Sequence, residues 1–141
     1  MKNAFKSEIL AGLFKTVEAK TAHQGHEPMT VQSAFRGKVV AVHYTGVLSQ
    51  TAISYFKPTL FEIVTGKAQQ IIIDMEDVRG VSQSTLGVLV DFAASVLGRS
   101  KKIYLYAPPA DLLKIMDAME LREFFDILRT EEDIINILPE G

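Results

Sequence analysis

Two short runs constrain this chain more than any others. Val39-Val40-Ala41-Val42-His43-Tyr44 is apolar at nearly every position, and Ile71-Ile72-Ile73 is wholly so. Successive side chains of a strand point to opposite faces. Val40, Val42 and Tyr44 therefore share one face, and Val39, Ala41 and His43 the other. A strand apolar on both faces needs cover on both sides, which is the setting of a parallel sheet flanked by helices.

The residues between and after these runs supply such cover. Ile53, Phe56, Leu60 and Ile63 recur at helical spacing, as do Leu86, Leu89, Val90, Ala93 and Leu97. Pro58 lies inside the first series and removes a helical donor, so a kinked helix or two shorter pieces are expected over residues 50–65. Gly66 and Gly98 are stop signals. Strands are expected at Met29–Ala34 and Lys38–Tyr44, joined by a turn at Phe35–Gly37. Others are expected at "QQIIIDM", "KKIYLYAP" and within "EFFDILR". "ADLLKIMDAM" reads as a helix. Thr130, with Asp133 three residues on, reads as the cap of a last one.

The expected order is β-β-α-β-α-β-α-β-α behind an extra N-terminal helix. That makes an α/β fold with a mostly parallel or mixed sheet, an antiparallel N-terminal hairpin strand, and helices mainly on one side. Phe5, Ile9, Leu13 and Val17, joined by Leu10 and Phe14, predict an amphipathic helix over residues 4–19. Gly25 and Pro28 mark a linker. The organisation expected is residues 1–28 as helix and linker, then a domain over 29–141. The helical stripe could dock on its own domain or on a second copy, forming a homodimer.

The chain's 141 residues suit one domain, and 48% hydrophobic residues suffice for a core. A net charge of −2 leaves no basic footprint for nucleic acid. Cysteine is absent, so disulfides and thiolate chemistry are excluded, as fits a cytoplasmic setting. No apolar run is long enough for membrane insertion, and the N-terminus lacks the apolar centre of a signal peptide.

Signals for catalysis are weak. His23 and His26 lack the further ligands of a zinc site. No nucleophile elbow or phosphate-cradling glycine loop occurs. Asp74, Glu76 and Asp77 form the one acidic cluster. It could bind Mg²⁺ or accept phosphate, but reads first as acids solvating a tight turn. His43 reads as a packed or lightly hydrogen-bonded strand residue. No enzyme activity, metal or cofactor is expected.

The stretch "DMEDVRGVSQSTLGVLVDF" is more informative. Gly80 and Val81 precede a helix opening with Ser82, Gln83, Ser84 and Thr85. The first turn of a helix leaves backbone N–H groups without intrahelical partners. Ser82 is placed to cap one, and such a mouth attracts anions, including phosphate. It lies at the carboxyl end of a strand, where α/β sheets carry ligands.

The segments "VVAVHYTGVLS", "IIIDMEDVRGVSQSTLGVLV" and "KKIYLYAPPADLLKIMDAMELREFFDILRTEEDIINIL" together resemble the STAS domain family, named for sulfate transporters and anti-sigma factor antagonists. The resemblance runs from about Met29 to Leu138. It implies a noncatalytic domain that binds a protein partner, most specifically an anti-sigma factor or its kinase. That role belongs to signal transduction and transcription regulation in bacteria. It places partner contact at Gly80, Val81, Ser82, Gln83, Ser84 and Thr85. Ser82 stands where the family has aspartate, Gln83 where it has the phosphoacceptor, and Thr85 where it has glycine. Glutamine accepts no phosphate, so the usual switch is absent and Ser84 and Thr85 are the remaining acceptors. The alternative reading is a self-associating scaffold or an accessory subunit of a larger, transport-related complex. A ligand-binding or enzymatic domain using Asp74 and Asp77 ranks third.

Overall fold

A computed structural model describes residues 5–24, 27–48, 50–81, 83–99 and 101–138. The elements are α1 (Glu8–Leu13), β1 (Lys15–Gln24), β2 (Glu27–Arg36), β3 (Val39–Leu48), α2 (Gln50–Thr65), β4 (Gln70–Asp74), β5 (Val78–Val81) and α3 (Gln83–Gly98). β6 (Lys102–Tyr106), α4 (Ala110–Ala118), a 3-10 turn (Arg122–Phe124), β7 (Asp126–Leu128) and α5 (Glu131–Ile137) complete the chain. The sheet runs β1-β2-β3-β4-β6-β7, with β5 paired to β3 off this path. β2 runs antiparallel to its neighbours β1 and β3, and β3, β4, β6 and β7 are parallel. This is the expected α/β fold.

The two-faced strands have the cover that their sequences require. Val40, Val42, Tyr44, Ile71 and Ile73 join Leu60, Ile63, Leu86, Leu89, Leu112 and Met116 in a core under α2, α3 and α4. Val39, Ala41 and Ile72 join Phe5, Leu10, Phe14 and Ile134 in a second core under the shorter α1 and α5. The long helices thus lie on one face. Thr130 caps α5 as expected: its hydroxyl accepts the Asp133 N–H, and the Asp133 carboxylate accepts the Thr130 N–H.

Two expectations are corrected. The N-terminal helix does not span residues 4–19. It stops at Leu13, Phe14 is extended, and the chain then enters β1. Residues 20–24, expected in a linker, pair with β2 from Lys20↔Val31 to Gln24↔Glu27. Hairpin pairing overrides a helical pattern that continues to Val17. Of the apolar side chains there, Phe5, Leu10 and Phe14 are buried in the chain's own core, whereas Leu13 is 44% exposed.

Of the two forms expected for residues 50–65, α2 takes the single helix, with Pro58 inside it. Burial of Leu60 and Ile63 on the sheet offsets the lost hydrogen bond, whose cost is about 3 kcal/mol. The second correction is at Gly80 and Val81, which belong to a strand absent from the expected order. They lie in β5, which pairs with the end of β3 through Val47↔Gly80 and Leu48↔Val81. Gly46 makes this possible. At φ +120° it takes a conformation open to glycine, and it redirects β3 after the β4 pairing ends.

Candidate functional site

Two places at the carboxyl edge of the parallel strands carry functional chemistry. The first is the mouth of α3. β5 leads directly into it, so the mouth sits beside the extension of β3. Gly80 and Val81 are half-buried, and Val81 packs on the main core. Ser82, the expected cap, lies outside the described residues. Gln83, Ser84 and Thr85 form the first turn of α3, and their side chains also lie outside the described set. Behind them, Leu86 and Leu89 are buried and hold the helix on the sheet.

The second place brings His43, a packed and hydrogen-bonded strand residue as expected, together with the acids at and after the end of β4. His43 on β3 is in register with Asp74 on β4, and Asp74 with Tyr106 on β6. Gln32 on β2 is the antiparallel partner of His43. A row of four polar side chains therefore crosses the sheet on the α1 face, all buried. His43 Nδ1 lies 2.7 Å from Asp74 Oδ2, and both side chains are fully buried. His43 Nε2 lies 2.9 Å from Asp77 Oδ2, close enough for an ion pair but not aligned as a hydrogen bond. The Glu76 N–H donates to Asp74 Oδ1 at 3.0 Å. Lys6 Nζ lies 2.5 Å from Asp77 Oδ1. The Phe5 ring meets the imidazole in an edge arrangement, with centroids 5.3 Å apart.

Both ring nitrogens thus face carboxylate oxygens, which favours the imidazolium. Burial opposes that charge and is the largest single influence on His43. The hydrogen bond to Asp74 and the charges of Asp74 and Asp77 outweigh it, and its pKa is raised. Lys6 is held protonated beyond the ordinary lysine range, first by its hydrogen bond to Asp77 and then by that residue's charge. Glu76 is pushed up by partial burial and then by the Asp74 and Asp77 charges.

Glu76 is exposed as expected, but for Asp74 and Asp77 this overturns the reading of the acids as a solvated turn. Asp74 is a buried partner of His43, and Asp77 joins His43 to Lys6. The carboxylates that a Mg²⁺ site would use are already engaged by cationic groups. Among the described residues no group of three or more His, Asp or Glu is arranged to hold a metal ion. Nor, among them, is any helix long and apolar enough to cross a membrane. A cavity of about 220 Å³ lies near the opposite edge of the sheet, between β2 and the end of α2, lined in part by Phe35, Thr59 and Ile63.

The order β2-β3-α2-β4-α3-β6-α4-β7-α5, with a glycine bend in β3 and a polar helix mouth after β5, matches a known family. The STAS domain model aligns with residues 30–134. The chain belongs to the STAS domain family. No curated protein matches it in sequence. Among solved structures, this STAS domain is similar to a putative anti-sigma factor antagonist from Thermotoga maritima. That match has 18% identity and a TM-score of 0.67, and covers 74% of this chain and 90% of the other. It is similar to phosphorylated SpoIIAA, a cell fate determinant of Bacillus, at 16% identity and a TM-score of 0.63, covering 77% and 99%. An uncharacterized protein from Shewanella loihica with a SpoIIAA-like fold matches at 13% identity and a TM-score of 0.51, covering 91% and 97%. At these identities the likeness is one of fold. Both α1 and β1 precede the matched STAS region, yet Phe5, Leu10 and Phe14 complete its second core.

Proposed function

We propose that this STAS domain is a cytoplasmic, protein-binding regulator of the anti-sigma factor antagonist kind, acting by docking and not by catalysis. Its partner surface is the corner formed by Gly80, Val81, Ser82, Gln83, Ser84 and Thr85, and its partner is a kinase-type anti-sigma factor. The observation that carries this reading is the family match, whose span includes β5 and the start of α3. The fold shared with an anti-sigma factor antagonist and with SpoIIAA supports it. So does the position of that corner at the carboxyl edge of the sheet, where α/β folds present their sites.

Gln83 occupies the family's phosphoacceptor position, and its amide takes no phosphoryl group. Docking here is therefore constitutive unless Ser84 or Thr85 is modified. A phosphoryl group at either would add a charge of about −1.5 to −2 to the contact. The test is titration of the purified chain with the anti-sigma kinase of its own genome, with and without ATP. Binding is read by calorimetry and phosphate by mass spectrometry. The expected result is a complex that persists with ATP when Ser84 and Thr85 carry no phosphate. Absence of a complex in both conditions contradicts the proposal.

A further inference from the structure

We propose that His43, Asp74 and Asp77 form a proton-controlled clasp, which fastens the segment Phe5–Leu10 over the carboxyl edge of the sheet and loosens it when the imidazole becomes neutral. This goes beyond the partner reading and does not depend on it. The argument begins with proton counting. A neutral imidazole has one N–H and one lone pair. Here Nδ1 and Nε2 lie 2.7 Å and 2.9 Å from carboxylate oxygens, so the neutral ring turns a lone pair on a carboxylate. One contact must then open.

Asp74 is the less able to yield. It is fully buried, and its second oxygen accepts the Glu76 N–H. Asp77 is the freer of the two. Its side chain is 18% exposed, and its contact with Nε2 is not an aligned hydrogen bond. Relief therefore passes through Asp77, which also holds Lys6. As Asp77 moves off the ring, Lys6 moves with it and Phe5 loses its seat on the imidazole edge. The groups around His43 come from each element packed on it. β4 supplies Asp74, the turn after it supplies Glu76 and Asp77, β2 supplies the uncharged Gln32, and the N-terminal segment supplies Phe5 and Lys6. Lys6 is the one other cation in this set, and it binds Asp77 on the side away from the ring.

The clasp also reaches toward the corner at α3. The Asp77 carbonyl accepts the Gly46 N–H at 3.3 Å, and the next residue, Val78, opens β5.

The test is NMR on the full chain between pH 5.5 and 9. It follows the His43 ring resonances together with exchange protection factors for the Leu10 and Ala11 amides. These amides donate to the Ser7 hydroxyl and carbonyl. Protection at both is expected to fall roughly tenfold or more as His43 titrates, while Ile72 and Leu105 in the central strands keep theirs. In His43→Gln the protection at Leu10 and Ala11 is expected to be low and independent of pH. Should that variant not fold, Lys6→Met keeps the imidazole and both carboxylates, and it is expected to lower the same protection at pH 5.5. Unchanged protection while His43 titrates overturns the proposal. So does a His43 that stays in one protonation state throughout, an equal loss at Ile72, or full protection in Lys6→Met.

Discussion

His43 and Asp74 face each other across adjacent parallel strands, Nδ1 2.7 Å from Oδ2, with neither side chain exposed to water. A buried pair of this kind is strongly interdependent. Each member is tolerable in the interior because the other is there.

That interdependence gives a first prediction. His43→Leu removes the cation and leaves Asp74 buried without it, at an expected cost of about 3–5 kcal/mol. Replacing both residues with leucine removes the orphaned charge too. The double variant is expected to be markedly more stable than His43→Leu alone, and close to the wild type. Urea unfolding of the wild type, His43→Leu, Asp74→Leu and the double variant measures this. Additive losses would contradict it.

The same pair predicts a pH dependence with a definite sign. The folded-state pKa of His43 is raised above the 6.5 of free histidine. The folded state therefore holds this proton where the unfolded state has released it. Its stabilising contribution is fully present below the unfolded value and is lost as pH rises through the folded one. Urea midpoints are expected to fall between pH 6 and pH 9, and to fall less in His43→Gln. Equal slopes for the two proteins would contradict the assignment.

Much of this architecture is legible in the residues. The two-faced apolar runs mark β3 and β4 as covered strands, the helical spacing after Leu86 marks α3, and Thr130 with Asp133 marks the start of α5. The segment that goes astray is the N-terminal one. Phe5, Ile9 and Leu13 do fit a helical period, but strand pairing takes over at Lys15, and pairing partners are not visible in a local pattern. β5 is missed because four residues are too few to show a period. The cluster at His43 is missed for a related reason. Its members are 31 positions apart in the chain, and only the parallel register of β3 and β4 sets them side by side. The corner at α3 stands out because its polar residues interrupt an otherwise apolar helix.

The N-terminal segment, though outside the matched STAS region, is part of the core. Leu10 is fully buried, so Leu10→Ala is expected to cost about 2–5 kcal/mol. Leu13, three residues on, is 44% exposed, and Leu13→Ala is expected to stay within about 0.5 kcal/mol of the wild type. Chemical denaturation separates the two. Equal effects would mean that α1 does not dock as described.

One position is open to improvement. Glu120 follows α4 at φ +56°, in a left-handed conformation. The Leu121 N–H reaches back to the Met116 carbonyl and the Glu120 N–H to that of Asp117, which is a glycine-favouring helix end. Glu120→Gly removes a steric cost of about 1–2 kcal/mol. Part of this is returned as unfolded-chain entropy, leaving an expected gain of about 0.5–1 kcal/mol. A rise in melting temperature checks it, and a fall would contradict it.

The central claim is that the mouth of α3 grips another protein. Its most direct test is the affinity of the purified kinase-type anti-sigma factor for wild type, Gln83→Asp and Ser84→Asp, with melting curves for all three. The account predicts binding weakened roughly tenfold or more by either new charge, with melting unchanged. Equal affinity across the three proteins would contradict it.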